Sequence, residues 1–306
     1  MKAAYIEEQG GPEVLRYGDL PSPVAGPGEV MVDIHSASVN GADWKVRSGS
    51  GAQLTDFPYI LGRDFSGIVS ALGEGVDDLE LGDAVWGVCD TGQEGAYADQ
   101  LAIKASIVAW KPEAMSHVAA AALALAGLTA LISIEDTIHL KAGETILIQG
   151  GAGGVAGVAI ELAKQIGARV ITTASAGNHS YLRRLGADEV IDYHERDFTD
   201  LGRVCDAVYE TVGGDVAERS FEVLKPGGRI AFIASGAGLP SPSPDYTSLR
   251  PKVDRDRSYL ERLNAYFEAG AIHAPQLTRY PLSEVVAAHR VSEGRHLRGK
   301  LVFDVR

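Results

Sequence analysis

Residues 146–175 read ILIQGGAGGVAGVAIELAKQIGARVITTAS, and this stretch decides the fold class. An apolar strand ends at Gln149, and Gly150, Gly151, Gly153 and Gly154 follow. A helix comes next, with Val155, Val158, Ala159, Leu162, Ala163 and Ile166 on one face at 3.6-residue spacing. A second apolar strand, 169–173, lies behind it. The turn fits G-x-G-x-x-A at Gly151, Gly153 and Ala156. A dinucleotide diphosphate requires this chemistry: glycines let the backbone come close to the phosphates, and a helix N-terminus offers unpaired N–H donors and a partial positive charge. Alone the pattern is weak, and an ordinary tight turn is the competing reading. The strand before it and the helix after it supply the confirming context. Gly151, Ala152, Gly153, Gly154 and Val155 are therefore the expected diphosphate contacts.

The end of the second strand indicates which dinucleotide. A site for NAD carries Asp or Glu about 20 residues past the first glycine, bound to the ribose 2′-hydroxyl. Here that place is held by Ala174 and Ser175, with no carboxylate to repel a 2′-phosphate. Ser175 and Asn178 can donate to phosphate oxygens, and Arg183 and Arg184 lie on the following helix. The expectation is NADPH over NADH. Ser175 and Asn178 can equally serve as helix caps.

Working outward, strands at 145–149, 169–173, 189–192, 207–210 and 229–234 alternate with helices, the mark of a parallel sheet covered on both faces. The class is α/β, with a doubly wound sheet. Before residue 117 the character differs. Residues 29–35 put Val30, Val32 and Ile34 on one face. Turn signals recur at Pro21-Ser22-Pro23, Gly26-Pro27-Gly28, Gly73-Glu74-Gly75 and Gly82-Asp83, so a compact barrel or sandwich is expected. An Ala/Leu helix covers 118–126, residues 235–244 form a loop, a helix covers 259–268, and 281–306 reads as a helix and then a strand (300–305) that is expected to rejoin the first third.

The 306 residues carry a net charge of −13, which disfavours nucleic acid and anionic membrane surfaces as partners. Two cysteines, Cys89 and Cys205, make no disulfide scaffold. The most apolar stretch, 118–132, is interrupted by Gly127 and Thr129 and falls short of the roughly 20 residues a bilayer demands. The N-terminus lacks a signal-peptide pattern. A cytoplasmic protein is the expectation. No G-x-S-x-G elbow, C-x-x-C pair or Walker turn is present, which disfavours serine hydrolases, thiol redox proteins and P-loop enzymes.

Seven further stretches extend the pattern: SVNGADWKVRSG (38–49), LGRDFSGIV (61–69), GDAVWG (82–87), AGLTAL (126–131), LGADEVIDY (185–193), LKPGGRI (224–230) and GKLVF (299–303). With the glycine turn they resemble the zinc-lacking quinone oxidoreductases, the zeta-crystallin-like branch of the medium-chain dehydrogenase/reductase superfamily. The resemblance implies a GroES-like β-barrel catalytic domain over 1–121, a Rossmann nucleotide-binding domain over 122–266 and a return to the catalytic domain over 267–306. It implies homodimers and the NADPH-dependent reduction of quinones or α,β-unsaturated carbonyls. Tyr193 matches a tyrosine near the adenosine ribose phosphate, whereas Asn178 falls where several relatives have lysine. Related alcohol dehydrogenases bind zinc through Cys, His and Cys. Here Asn40 and Arg63 stand at the first two positions, and 121–130 holds neither Cys nor His, so no metal is expected.

Without a Lewis acid, a carbonyl must be polarised by hydrogen bonds. Asn40 and Lys45 are the candidate donors, and Thr129 lies in a loop that resembles a substrate-facing segment. Asn40 is as readily a turn former, and Lys45 as readily a solvated lysine. Ile233, Ala234 and Ser235 follow a strand at the carboxyl edge of the sheet, where they are placed to flank the nicotinamide. Arg63 and Asp64 read as an adjacent structural ion pair, and Trp44, Trp86 and Trp110 as packing residues. Two other readings stay open: an enoyl-type reductase of a specific metabolite, and a protein that binds NADPH without turnover.

Overall fold

The computed structural model describes residues 1–234 and 241–306. The chain divides into two compact units: Met1–Leu125, Arg255–Glu268 and Ala274–Arg306 form the first, and Ala126–Asp254 with Ala269–His273 the second.

The first unit is built on antiparallel strands. Its larger sheet runs in the order Leu277–Pro281, Lys300–Asp304, Glu29–Ser38, Asp64–Leu72, Ala84–Val88, Val108–Trp110, and Gln100–Lys104 also pairs with Glu29–Ser38. A smaller sheet sets Lys2–Ile6 between Arg16–Asp19 and Tyr59–Ile60. The chain's last strand does rejoin the first third, with Val302 opposite Ser38 and Phe303 opposite Ala37. Val30, Val32 and Ile34 are fully buried as their alternation predicts, among Phe65, Leu61, Ile103 and Phe303. Burying each such side chain contributes roughly 1.5–3 kcal/mol.

The second unit carries a six-stranded, all-parallel sheet in the order Glu189–Ile191, Arg169–Thr173, Thr145–Ile148, Cys205–Glu210, Leu224–Phe232, Thr247–Leu249. Ile146 pairs with Val170 on one side and Ala207 on the other, and Leu147 with Ile171 and Val208. These residues are buried because helices cover both faces, which explains why the strands read as continuous apolar runs. From Thr145–Ile148 the chain first moves outward through two strands. It then returns to the opposite side at Cys205–Glu210. The reversal opens a crevice at the carboxyl ends of these two central strands, where α/β sheets bind ligands.

Several expectations require correction. The helix Arg257–Glu268 groups with the first unit and not with the nucleotide-binding region. Arg257 donates to the carbonyls of Val108 and Ala105 and pairs with Asp78, while Leu260 and Leu263 are buried. The boundary expected at 121/122 falls at Leu125 and Ala126, inside the helix His117–Leu131. Thr129 therefore lies in a helix and not in a loop. Helical structure continues to Thr137, giving a 21-residue run, His117–Thr137, apolar and long enough by composition to cross a bilayer. Most of it is buried in the fold, so its composition is that of a core helix. Strand Leu224–Phe232 starts five residues before the expected 229 because LKPGG is itself extended, and Thr247–Leu249 adds an edge strand whose three residues lack a readable period. Trp86 is fully buried, but Trp110 is exposed and lies under Arg257.

Candidate functional site

The glycine turn is fastened from below by the next strand. Gly150 N–H donates to Thr173 Oγ1 at 3.0 Å, Gly151 N–H donates to the Thr173 carbonyl at 3.0 Å, and Thr172 Oγ1 donates to the Ile148 carbonyl at 2.6 Å. The buried Gln149 side chain accepts from Thr173 Oγ1 at 2.7 Å and donates to Ser220 Oγ. Gly153 heads the helix Gly154–Ile166 as an N-cap without a side-chain cap. The N–H groups of that first turn have no intrahelical acceptor, so they remain donors for an anion.

The glycines are needed for different reasons. A Cβ on Gly151 would overlap Thr172 Oγ1, so this glycine serves packing within the protein. Gly150 has φ +67, and its Cβ would stand 3.0 Å from Val212 Cγ2 and 3.1 Å from Thr211 Oγ1. A Cβ on Gly153 would meet nothing closer than the Gly150 carbonyl, at an ordinary 3.5 Å. Nothing within 3.5 Å of that Cβ requires glycine there. Of the five expected diphosphate contacts, Gly151 and Gly153 have their N–H groups on the Thr173 and Gly150 carbonyls, which leaves those of Ala152, Gly154 and Val155.

Beside the turn, buried Glu210 ends its strand by accepting the N–H groups of Val212 and Gly213 at 2.7 and 2.8 Å. Thr211 Oγ1 donates to the Gln149 carbonyl at 2.7 Å, which ties that loop to the glycine turn. Burial holds the Glu210 carboxyl above its ordinary pKa. Ile233 and Ala234 follow on the neighbouring strand end, half-buried, with Ile233 N–H on the Glu210 carbonyl. Phe232 is fully buried core, and Ser235 lies outside the described residues. At the end of Arg169–Thr173, Asn178 Nδ2 donates to Ser175 Oγ at 3.2 Å, so the two residues expected to meet a 2′-phosphate already meet each other. Tyr193 is half-exposed and lies against His194, ring centroids 4.4 Å apart.

The expected substrate-side residues divide, Asn40 and Lys45 lying in the first unit and Thr129 in the second. Asn40 caps the helix Gly41–Arg47, but its amide is committed: Nδ2 donates to Asp64 Oδ2 at 2.8 Å, and Oδ1 accepts from Lys300 Nζ at 2.6 Å. Asp64 does not pair with Arg63. It accepts from Ser38 Oγ, Asn40 and the Leu125 N–H, with Lys300 Nζ 3.4 Å away. Arg63 turns instead to Glu94, which also accepts from Tyr59. The sequence reading missed Lys300, Glu94 and Tyr97. A lysine inside the apolar strand KLVF was the one signal available for Lys300. Among the described residues Lys45 has no carboxylate partner. Its ammonium is held below its ordinary pKa by burial and then by the charge of Arg295. Thr129 is almost wholly buried, its carbonyl taken by Ser133 Oγ at 2.6 Å.

Asp43 gives a pH prediction. Its Oδ2 accepts from the Asn40 N–H at 2.8 Å and from Tyr97 Oη at 2.7 Å, and its Oδ1 is buried without a partner. Burial is the main cause that pushes its carboxyl up from 3.8 to about 6. The folded state then holds more protons than the unfolded state between about pH 4 and 6. Stability from this group is therefore fully present at the acid end of that window and is lost as pH rises through it. The Asp43→Asn variant keeps an acceptor for both hydrogen bonds. Across that window its stability should gain on the wild type by up to ~3 kcal/mol. Urea unfolding at both ends of the window measures this, and parallel profiles would refute it.

A zinc ion has no donor set here. Asn40 and Arg63 are engaged as described, and among the described residues no three His, Cys, Asp or Glu side chains converge. Comparison with known proteins bears on the whole chain. Residues 26–135 match the alcohol dehydrogenase GroES-like domain family, and residues 185–303 match the family described as zinc-binding dehydrogenase. The chain is 34% identical to the 2-methylene-furan-3-one reductase of Solanum lycopersicum, over 99% of this chain and 79% of that protein. It is 31% identical to the chloroplastic NADPH-dependent alkenal/one oxidoreductase of Arabidopsis thaliana, over 99% and 79%. The solved quinone oxidoreductase of Coxiella burnetii superposes with a TM-score of 0.90 at 36% identity, covering 100% of this chain and 99% of that one. The chain belongs to the medium-chain dehydrogenase/reductase superfamily, among its quinone oxidoreductases and alkenal reductases.

Proposed function

We propose that the protein is an NADPH-dependent, zinc-independent reductase of quinones or α,β-unsaturated carbonyls. The observation that carries this reading is the uncapped helix N-terminus behind Gly153, with no carboxylate where the next strand ends. The relatives named for NADPH, alkenals and quinones support it. When bound, the reduced nicotinamide supplies a hydride to an electron-poor carbon. The protein's own part is to hold the diphosphate on the N–H groups of Ala152, Gly154 and Val155, those of Gly151 and Gly153 being bonded to the Thr173 and Gly150 carbonyls, to leave the 2′-phosphate unopposed beside Ser175, Asn178 and Tyr193, and to flank the ring with Ile233 and Ala234. On the substrate side we assign the donor role to Lys45, since Asn40 serves Asp64 and Lys300. The protein acts as a homodimer in the cytoplasm; buried free thiols at Cys89 and Cys205 suit a reducing compartment.

The test is NADPH oxidation followed with a panel of small quinones and enals. Turnover is expected, with a lower KM for NADPH than for NADH. Tight NADPH binding without turnover of any member would favour a binding protein instead. Equal KM values for the two nucleotides would remove the selectivity argument.

A further inference from the structure

Lys45 and Arg295 share one indole. Lys45 Nζ lies 5.7 Å from the Trp44 ring centroid, and Arg295 Cζ lies 5.6 Å from it. All three residues belong to the first unit. Trp44 and Lys45 are on the helix Gly41–Arg47, and Arg295 comes just past the helix Val285–Glu293. The carboxylates nearest in sequence are already used, Glu293 by buried Arg47 and Asp43 by the Asn40 N–H and Tyr97 Oη. Among the described residues no acidic side chain forms an ion pair with either Lys45 or Arg295.

Two features make this arrangement unusual for the molecule. The chain has 41 acidic residues against 28 basic ones, and Arg63, Arg229, Arg257 and Arg279 each close on a carboxylate. Lys45 and Arg295 instead meet at one ring without such a partner among the described residues. Half-burial of Lys45 makes their repulsion costlier than it would be in open water. Arg295 also holds a left-handed backbone, φ 55, a conformation it shares with only His139 among the described non-glycine residues. Backbone strain of this kind persists where the surroundings impose it. A planar guanidinium with an ammonium at the same indole suits an anion with two oxygens.

We propose that Arg295, placed beside Trp44 and the donor Lys45, recognises a carboxylate carried by the unsaturated substrate, so that the enzyme prefers anionic enones to their neutral counterparts. The proposal rests on the reductase reading and sharpens it. The anion neutralises the like-charged pair when it binds, a gain that a neutral substrate cannot supply. A phosphate of the nucleotide has the same chemistry, and the experiment separates the two sources.

The probes are 4-oxo-2-pentenoate and its methyl ester, which share the reacting carbons and differ in one charge. Steady-state NADPH oxidation gives kcat/KM for each, and the readout is their ratio. For the wild type the ratio should favour the acid by roughly tenfold, the effect of one charge-assisted hydrogen bond, and should fall with added salt. In Arg295→Met the ratio should drop roughly tenfold, in Arg295→Glu it should drop further, and Arg295→Lys should restore part of it. Arg295 is exposed, so the three variants are expected to fold. A wild-type ratio near one, or a ratio unmoved by all three substitutions, overturns the proposal. A raised KM for NADPH with an unchanged ratio assigns the anion to the nucleotide and also overturns it. If the wild type turns over neither probe nor any neutral quinone, the reductase reading itself fails and this proposal with it.

Discussion

Gly153→Ala should fold as the wild type does and bind NADPH at least tenfold more weakly, whereas Gly151→Ala should lose both stability and binding. The two glycines are two residues apart in one turn, and sequence alone gives them the same reason to be glycine. The structure separates them. A methyl on Gly153 meets only the Gly150 carbonyl, at 3.5 Å, and its backbone, φ −70 and ψ 156, suits any residue. Losing the glycine N-cap to alanine costs at most about 1 kcal/mol. The methyl does project at the head of the uncapped helix, where a diphosphate would lie, and a tenfold loss corresponds to ~1.4 kcal/mol. A methyl on Gly151 is forced into Thr172 Oγ1, a buried group already bonded to the Ile148 carbonyl, and comes within 3.1 Å of Leu182 Cδ2. Overpacking of that kind costs about 1–3 kcal/mol. Thr172→Ala removes the obstructing hydroxyl, so in the double variant the two losses should be less than additive. Urea unfolding and titration calorimetry with NADPH read both quantities. Wild-type affinity in Gly153→Ala would show that the phosphates lie elsewhere.

The second unit was legible in the sequence to within a few residues because its signals are local. Buried parallel strands announce themselves as apolar runs, and the glycine turn marks where one ends. Errors arose where a signal depended on distant partners. Leu224–Lys225–Pro226 looks like the approach to a strand, yet Leu224 already pairs with Cys205. Thr129 sits in a segment with loop-like glycine content, but the helix around it is held by burial on all sides, which composition does not report. The polar cluster of the first unit was the least legible. Asn40, Asp64 and Lys300 are 24 and 236 residues apart in succession, and nothing local to any of them says that the three meet. The motif position of Asn40 points to a substrate-facing amide, whereas the structure turns that amide inward. Lys45 was equally readable as a solvated lysine, and only the fold brings Arg295 to the same ring.

That cluster carries the other large effect. Asp64 has no exposed surface and is the acceptor for Ser38 Oγ at 2.5 Å, Asn40 Nδ2 at 2.8 Å and the Leu125 N–H at 3.2 Å. Lys300 is also buried, donating to the Val39 carbonyl at 2.9 Å and to Asn40 Oδ1 at 2.6 Å, with Asp64 its only ionic partner among the described residues. Asp64→Asn preserves shape and removes the charge, leaving an ammonium buried without an anion. The expected cost is about 3–5 kcal/mol, the usual consequence of breaking a buried pair from one side. Lys300→Met should cost a similar amount, because it strands the carboxylate. Removing both charges together, as Asp64→Asn with Lys300→Met, eliminates the stranded partner in each case, so the double variant should be at least ~2 kcal/mol more stable than the sum of the singles predicts. The distance of 3.4 Å is long for an ion pair, and this makes the cycle decisive. If the pair matters through Asn40 alone, the single variants will cost no more than about 1–2 kcal/mol each, as neutral hydrogen bonds do, and their effects will add. Non-additive losses of the larger size would establish that the inward turn of Asn40 is fixed by charge.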